Sequence, residues 1–423
     1  MPARAPHCDV AMVGSDASLR WWAGRLYVVN RYGGDNVQVI DPATYATVRQ
    51  FSVGNGSNPH DIAFASATRA YVTRYDATDL WIVNPATGAH TGTISLAGFA
   101  DADGNPEMDR LMMAGPLLFV SLERIDRDHG YAPADTALVA VIDTRADTLL
   151  DCDPARPGVQ AIALSLRNPF TAFQFDAAAS RLLIGCAGAF GALDGGVERI
   201  DPVRLASDGV AITEAALGGD VTDVVWGSAA LSWAIVADAA SNTRLVSWSA
   251  AAGSVTATLW NPGGYELADV ELSDAGELWV CDNSFASPRV RVFTAATGAQ
   301  SGGDITCALP ASAVTFDAAS AQVSGVAPQA LAPAFAPPAP SPASGPVRFA
   351  FALKQGALVR LEVFDTAGRR VRTLADGAWP AGSGSVTWDL AGDAGGRAVA
   401  PGLYLVRLRT QRETAVTRLV VLP

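Results

Sequence analysis

Short runs of alternating apolar residues, each ended by turn-forming residues, recur from about residue 8 to residue 316. The clearest stretch, residues 59–96, predicts strands at Asp61–Phe64, Ala70–Thr73, Asp79–Val83 and Thr91–Ile94. Asn84-Pro85 closes the third of these strands, because Asn before Pro starts a turn. Four antiparallel strands in fewer than about 50 residues are typical of one β-propeller blade.

The third strand and its following turn recur six times, which identifies the stretch as a repeat. The copies are Val39–Thr44, Ile82–Gly88, Val141–Thr144, Arg199–Pro202, Ser247–Gly253 and Val292–Gly298. First strands are predicted at Asp9, Asp61, Asp109, Thr171, Asp223 and Asp269, with a seventh candidate at Ser312–Phe316. The sequence therefore predicts an all-β protein whose residues 1–325 form a six-bladed, alternatively seven-bladed, β-propeller. The seventh blade would need strands upstream of Met1.

Composition changes sharply after the propeller. Residues 326–345 are rich in Pro, Ala and Ser, which favours an extended linker without a core. Residues 346–423 alternate apolar and polar positions again, as a small immunoglobulin-like β-sandwich would. Strands are predicted at Val347–Leu353, Leu358–Asp365, Gly384–Leu390, Gly402–Arg409 and Thr414–Leu422.

The repeats, with Ala70-Tyr71-Val72-Thr73 and Asp/Asn-Pro-x-Thr-Gly turns, resemble the YVTN family of β-propellers, akin to NHL-like propellers. That resemblance implies the fold and little about function, since such propellers include surface-layer proteins, binding scaffolds, lactonases and lyases. Residues 346–423 resemble FlgD-like immunoglobulin-type domains and the type A C-terminal sorting domain of type IX-secreted proteins. The matching motifs are Val363-Phe364-Asp365-x-x-Gly368-Arg369, Val386-Thr387-Trp388-Asp389 and Gly402-x-Tyr404.

This second resemblance implies export and contact with secretion or anchoring machinery, so we expect a secreted or cell-surface protein. The first residues contain no apolar signal-peptide core, and Asp9–Met12 already looks like a strand. We therefore expect that the N-terminus is incomplete. The sequence has no run of 18 apolar residues, which argues against a transmembrane segment.

Charge narrows the choice of partners. The net charge of −12 divides into +5 for residues 346–423 and −17 for residues 1–345. An acidic propeller argues against nucleic acid as a partner. A protein or carbohydrate ligand at the propeller face fits better. The adjacent Trp21 and Trp22 are interpreted either as packing residues or as a sugar-stacking pair.

Acidic residues open most of the predicted first strands, which line the central channel of a propeller. We expect the residues near the channel mouth to converge there: His60, Asp61, Glu107, Asp109, Asp223, Asp269 and Arg74, with Arg31 as a further neighbour. Their oxygens would bind Ca²⁺ or a polar ligand. The alternative is that each Asp accepts backbone N–H bonds and fixes the start of its blade.

A second candidate metal site lies in the loop before Asp109. Asp101, Asp103, Asn105 and Glu107 alternate as in the first half of a calcium-binding loop. Pro106 stands where an EF-hand has Gly, so an ordinary solvated acidic loop is the alternative. Ca²⁺ is the only cofactor that the sequence indicates.

Catalytic signals are sparse. No nucleophile elbow, zinc-protease or phosphate-binding motif is present. His60 beside a carboxylate and an arginine would suit a lactonase-like or streptogramin-lyase-like reaction, or simply ligand recognition. Of the five cysteines, Cys8 and Cys307 are candidates for a disulfide that closes the ring. We expect an exported binding or scaffold protein, with a propeller hydrolase or lyase as the alternative.

Overall fold

A computed structural model of the chain describes residues 10–317, 335, 338–353, 357–365, 369–379, 382–392, 398–410 and 414–422. Asp9 and Cys8 lie outside the described residues. Between Ser18 and Thr306 the chain forms six successive antiparallel sheets, whose strands are paired in chain order. Three short helical segments interrupt them: Ala97–Phe99, Arg127–His129 and α1 (Glu214–Leu217).

The first sheet contains β1 (Ser18–Trp22), β2 (Arg25–Asn30), β3 (Asn36–Ile40) and β4 (Thr47–Ser52), and the second contains β5 (Ile62–Ser66), β6 (Arg69–Val72), β7 (Asp79–Asn84) and β8 (Ala89–Ser95). The third sheet contains β9 (Met108–Ala114), β10 (Leu117–Leu122), β13 (Leu138–Asp143), β14 (Thr148–Leu149) and β15 (Ile162–Ala163). Between β10 and β13 the chain forms a separate hairpin of β11 (Ile125–Asp126) and β12 (Ala132–Pro133). Both β14 and β15 pair with β13, so the outer edge of the third sheet is split.

The fourth sheet contains β16 (Gln174–Asp176), β17 (Arg181–Cys186), β18 (Gly196–Asp201) and β19 (Ala206–Thr213). The fifth contains β20 (Asp220–Val225), β21 (Ser232–Ala237), β22 (Thr243–Ser249) and β23 (Ser254–Trp260). The sixth contains β24 (Leu267–Leu272), β25 (Glu277–Asp282), β26 (Arg289–Thr294) and β27 (Ile305–Thr306). Their long apolar runs are in β17, β21 and β25, which are almost fully buried.

Each sheet packs face to face on the next one, which is the arrangement of propeller blades. Buried clusters lie between consecutive sheets, and representative pairs are Val29 with Val72, Tyr71 with Leu118, Phe119 with Ile184, Leu183 with Val236, and Ile235 with Val280. The first strands β5 and β9, and likewise β20 and β24, run beside each other at the centre. The N-terminal part of the chain is thus a β-propeller, as predicted.

In two sheets the first strand begins later in the chain than the sequence predicts. The first sheet begins with Ser18–Trp22, whereas residues 10–12 form no strand, and Met12 is exposed. The tight turn at Ala23-Gly24, with φ of 48° and 73°, pairs β1 with β2 and so decides this register. The fourth sheet begins at Gln174 rather than at Thr171.

The seventh candidate, Ser312–Phe316, forms no strand. Its Val314 N–H nevertheless donates to Asp269 Oδ2 over 2.6 Å. The same kind of bond joins the fifth and sixth sheets, where Val270 N–H donates to Asp223. Residues 312–316 therefore run alongside β24, on the side where a further first strand would lie.

The C-terminal domain is a β-sandwich, as predicted. Its strands are β28 (Val347–Leu353), β29 (Ala357–Phe364), β30 (Arg370–Trp379), β31 (Gly382–Trp388), β32 (Gly402–Arg409) and β33 (Thr414–Val421). One sheet pairs β28 with β31, and the other has the order β30-β29-β32-β33. Phe349, Leu361, Trp388 and Val406 are buried between them. The Tyr404 hydroxyl donates to the Ala400 carbonyl, a bond typical of immunoglobulin-like sandwiches.

The end of the predicted linker belongs structurally to this sandwich. Ala343 is 1% exposed, donates its N–H to Val420 and accepts a bond from Leu422 N–H. Ala339 pairs with Arg348, and Phe335 packs on Phe349. None of the described helices has the length and apolar character that crossing a membrane requires.

Candidate functional site

One face of the propeller collects the polar residues that the sequence singles out. In an antiparallel four-stranded blade, the start of the first strand and the turn between the second and third strands lie at the same edge. We call this edge of the six sheets the upper face. His60, Asp61 and Glu107 precede or open first strands there. Asp223 and Asp269 line a central cavity of about 390 Å³ that also contacts upper-face residues such as Tyr265.

His60 is held on three sides and is 4% exposed. Its Nδ1 donates to Asp109 Oδ1 over 2.7 Å, and its Nε2 accepts a bond from Arg31 Nη2 over 2.7 Å. The imidazole stacks on Tyr75 with 4.0 Å between ring centres. Burial lowers the pKa of His60 to about 4, although Asp109 opposes this shift. The ring is therefore neutral at pH 7, and both of its nitrogens are engaged.

Asp109 is the charged centre of this group. Burial alone would raise its pKa, but Arg110 and His60 outweigh that effect and lower the pKa to about 2. Glu123 lies beside it, and burial together with the Asp109 charge raises the pKa of Glu123 well above its usual value. Tyr75 donates its hydroxyl to Glu123 over 2.7 Å. One ionised and one protonated carboxyl group thus lie side by side without repulsion.

Asp61 joins three neighbouring blades. Its carboxylate accepts two bonds from the Arg20 guanidinium, at 2.7 and 2.6 Å. It also accepts the backbone N–H of Ile62 and that of Leu111 in the next blade. Asp61 is completely buried, so these four bonds replace the water that an ionised carboxylate needs.

Asp223 and Asp269 also accept backbone N–H groups, and no arginine among the described residues is in hydrogen-bond contact with either. Asp223 accepts Val224 N–H and Val270 N–H, and Asp269 accepts Val314 N–H. Burial and the neighbouring Asp269 raise the pKa of Asp223 well above its usual value. Two of the four described strand-opening aspartates, Asp61 and Asp223, therefore accept an N–H bond from the next blade, and Asp269 accepts one from the segment that follows the sixth sheet. This pattern favours the blade-fixing interpretation.

Arg74 makes its described side-chain contacts with residues other than His60. It donates to the Val53 carbonyl, pairs with Asp79 and stacks over Trp81 at 4.6 Å. Arg31, which the sequence named as a further neighbour, is the arginine that contacts the imidazole.

Trp21 and Trp22 are not a sugar-stacking pair, because successive residues of β1 point to opposite faces. Trp22 stacks on Phe64 with 4.6 Å between ring centres. Trp21 instead lines a cavity of about 150 Å³ at the other end of the channel.

The second candidate metal site is brought together by the loop between β8 and β9. Carboxylate oxygens of Asp101, Asp103 and Glu107 lie within 4.8 Å of one another. Glu107 is completely buried, and it accepts Ile125 N–H from the hairpin of β11 and β12. Burial and the Asp103 charge raise the pKa of Glu107 to about 8.

A feature that the sequence reasoning missed is a set of exposed aromatic residues on the upper face. All five strongly exposed aromatic side chains among the described residues lie in turns at this face. Four are between second and third strands and one precedes β24: Tyr32, Tyr131, Phe190, Phe285 and Tyr265. Their exposed fractions run from 60% to 92%. In the sequence, each of these residues stands in a Gly-, Asp- or Ser-rich turn. Only the order of the strands shows that these turns lie at the same face.

The comparison with family models identifies the C-terminal domain. Residues 341–413 match the family model of the FlgD Ig-like domain. No curated protein sequence matches the chain.

Solved structures similar to the chain have low identity. Hydrazine synthase of Kuenenia stuttgartiensis is 13% identical, with a TM-score of 0.49, covering 69% of this chain and 80% of the other. The Dos1 propeller is 10% identical, with a TM-score of 0.49, covering 89% and 78%. A catalytically inactive virginiamycin B lyase from Staphylococcus aureus is 9% identical, with a TM-score of 0.48, covering 70% and 86%.

Proposed function

We propose that this chain is an exported binding protein that uses the upper face of its propeller to hold a protein or a carbohydrate chain. The observation that carries the proposal is that the exposed aromatic residues Tyr32, Tyr131, Phe190, Tyr265 and Phe285 all lie on that face. Exposed aromatic rings give large contact areas at low cost in side-chain entropy and are enriched where proteins bind partners. Five rings on five separate turns suit an extended ligand better than a small molecule.

The polar group below these rings supports binding rather than catalysis. A general base needs a nitrogen or oxygen that is free to take a proton from a substrate. Both nitrogens of His60 are occupied, and its ring is almost fully buried. Asp61 is saturated by Arg20 and two backbone N–H groups. These residues fix the blades that carry the aromatic turns.

The proposal of export and surface attachment is based on the C-terminal domain. The FlgD Ig-like match at residues 341–413 supports a module that contacts secretion or anchoring machinery. Cell fractionation of the producing organism, followed by detection of the chain with an antibody, tests this part. Recovery in the cytoplasm alone would contradict it.

The binding test compares the wild-type chain with a triple variant, Tyr131→Ala/Phe190→Ala/Phe285→Ala, on arrays of polysaccharides and of extracellular proteins. The variant should lose at least about tenfold in affinity, because hot-spot aromatic residues each contribute ~1–2 kcal/mol or more. Its melting temperature should stay near that of the wild type, since the three side chains are exposed. Val48→Ala, at an exposed residue where β4 begins, is the control and should bind normally.

The hydrolase or lyase alternative predicts a different result. Lactones and streptogramins would then be turned over, and His60→Ala would abolish turnover while leaving ligand affinity in place. We expect no turnover. A ligand whose affinity is the same for the triple variant and the wild type would contradict the binding proposal.

A further inference from the structure

The loop between β8 and β9 gathers four oxygen-bearing side chains at alternating positions, from Asp101 to Glu107. The carboxylate oxygens of Asp101, Asp103 and Glu107 lie within 4.8 Å of one another. Ca–O bonds measure 2.3–2.6 Å, so two oxygens on opposite sides of one Ca²⁺ lie about 5 Å apart. The spacing is that of ligands around a single ion.

Unsatisfied buried oxygens point independently to a ligand. Glu107 is completely buried, and its Oε1 accepts no hydrogen bond, although Arg127 Nε lies 3.3 Å away. Asp101 Oδ2 and Asn105 Oδ1 are also buried and accept no hydrogen bond. Asn105 donates its Nδ2 to the Tyr75 carbonyl, which fixes which end of its amide is the oxygen. A buried acceptor without a donor is costly, and a cation held among Asp101, Asp103 and Glu107 would lower that cost.

The charges in the loop agree with this geometry. Asp101, Asp103 and Glu107 bring three carboxyl groups within 4.8 Å of one another. Negative charges at this distance repel one another unless a cation lies between them. Arg127 supplies one positive charge, and it also pairs with Asp76. A divalent ion would offset part of the negative charge that remains.

We propose that Asp101, Asp103, Asn105 and Glu107 form a Ca²⁺ site, in which water or backbone carbonyl groups complete the six to eight oxygen ligands that Ca²⁺ takes. The ion would also order the neighbouring hairpin. Asp103 accepts Arg127 N–H, and Glu107 accepts Ile125 N–H, so both carboxylates hold the hairpin backbone. This hairpin carries Tyr131 on the upper face.

The test uses the full chain, freed of metal with EGTA and then titrated with CaCl₂ in a calorimeter. Ca²⁺ should bind, and at about 100 times its Kd it should raise the melting temperature of the propeller by about 5 °C. MgCl₂ should give a smaller rise, because Mg²⁺ requires near-octahedral geometry. Hydrogen exchange at the amides of Ile125 and Arg127 should slow when Ca²⁺ is added.

Asp101→Asn and Glu107→Gln keep the side-chain shape and remove one charge each. Each should weaken Ca²⁺ binding at least tenfold while leaving the melting temperature in EGTA equal to or above the wild-type value. Asp128→Asn, an exposed change in the hairpin, is the matched control and should bind Ca²⁺ normally. The proposal is overturned if the wild type binds no Ca²⁺ or if Asp101→Asn binds it with unchanged affinity. It is also overturned if both variants lose as much stability in EGTA as in Ca²⁺, since they would then be purely structural.

Discussion

The imidazole of His60 donates from Nδ1 to Asp109 Oδ1 across 2.7 Å, and this bond joins two different blades. His60 lies just before the first strand of the second sheet, whereas Asp109 lies in the first strand of the third. Arg31, which follows the second strand of the first sheet, occupies the other imidazole nitrogen. A single neutral ring therefore connects three blades at the upper face.

The first prediction concerns the pH dependence of this contact. The pKa of His60 is about 4 in the folded protein, against 6.5 for an unperturbed imidazole. The unfolded chain thus binds more protons than the folded one between these values. The stability that the buried neutral His60 gives the folded protein is therefore fully present above pH 6.5 and is lost as the pH falls to 4. A shift of this size corresponds to about 3 kcal/mol.

Urea unfolding of wild-type and His60→Asn proteins between pH 4 and pH 8 measures this effect. The free energy of unfolding of the wild type should exceed that of the variant at pH 7.5. The difference should shrink by about 3 kcal/mol as the pH reaches 4. His90→Asn, at an exposed imidazole, is the control, and its profile should follow the wild type. A difference that stays constant with pH would show that His60 is not buried in its neutral form.

The second prediction separates a blade-fixing aspartate from a metal ligand at the channel. Asp61→Asn should lower the free energy of unfolding by about 3 kcal/mol, because it leaves the Arg20 guanidinium without its buried partner. The loss should be the same in Ca²⁺ and in EGTA. Asp41→Asn breaks a more exposed pair with Arg25 and should change stability by less than about 1 kcal/mol. A loss that appears only in Ca²⁺ would make Asp61 a metal ligand.

The repeat pattern was enough to predict the two folds, because each blade is a local unit with its own strands and turns. The residue at which a strand begins was harder to predict where it depends on a single turn. The Ala23-Gly24 turn moves the first strand to Ser18, and nothing in the apolar pattern at Asp9–Met12 shows this. The strand Arg370–Trp379 was not predicted, and it contains the turn-forming pair Asp376-Gly377. It is an edge strand, paired with β29 alone and with two irregularities in register.

At the candidate site, the sequence could place acidic residues at one face because most of the predicted first strands open with Asp. It could not assign their partners. Arg20 and Arg31 come from the first blade, and Glu123 follows the second strand of the third. These contacts cross blades, and no spacing along the chain encodes them. The exposed aromatic residues were missed for the same reason, since only the strand order places Tyr32 and Phe285 on one face.

The third prediction concerns the cysteines. Cys186 and Cys281 are completely buried, and burial raises the pKa of both thiols well above the usual value. Iodoacetamide reacts with the thiolate, so neither residue should be alkylated in the native protein at pH 8. Both should react fully in urea. Mass spectrometry of the digested protein measures the modified fraction, and rapid native labelling of Cys186 would mean that the fourth blade opens readily.

The last prediction tests where the second domain begins. The sandwich core consists of residues from its own strands together with Ala343 and Phe335, which precede the predicted boundary at Pro346. Ala343 exchanges two backbone hydrogen bonds with the last strand region, at Val420 and Leu422. A fragment of residues 335–423 should therefore fold by itself, because the large buried cluster of the sandwich consists of its own described residues. Among the described residues, the propeller adds small contacts to it, Val203 with Ala350 and Arg145 over Trp379. A fragment of residues 346–423 should be less stable by on the order of 2 kcal/mol, since it loses these bonds and the buried apolar contacts.

Urea unfolding followed by Trp388 and Trp379 fluorescence compares the two fragments. Equal stability would place the boundary at Pro346 and leave residues 335–345 as a spacer, whereas failure of both fragments to fold would show that the sandwich depends on the propeller.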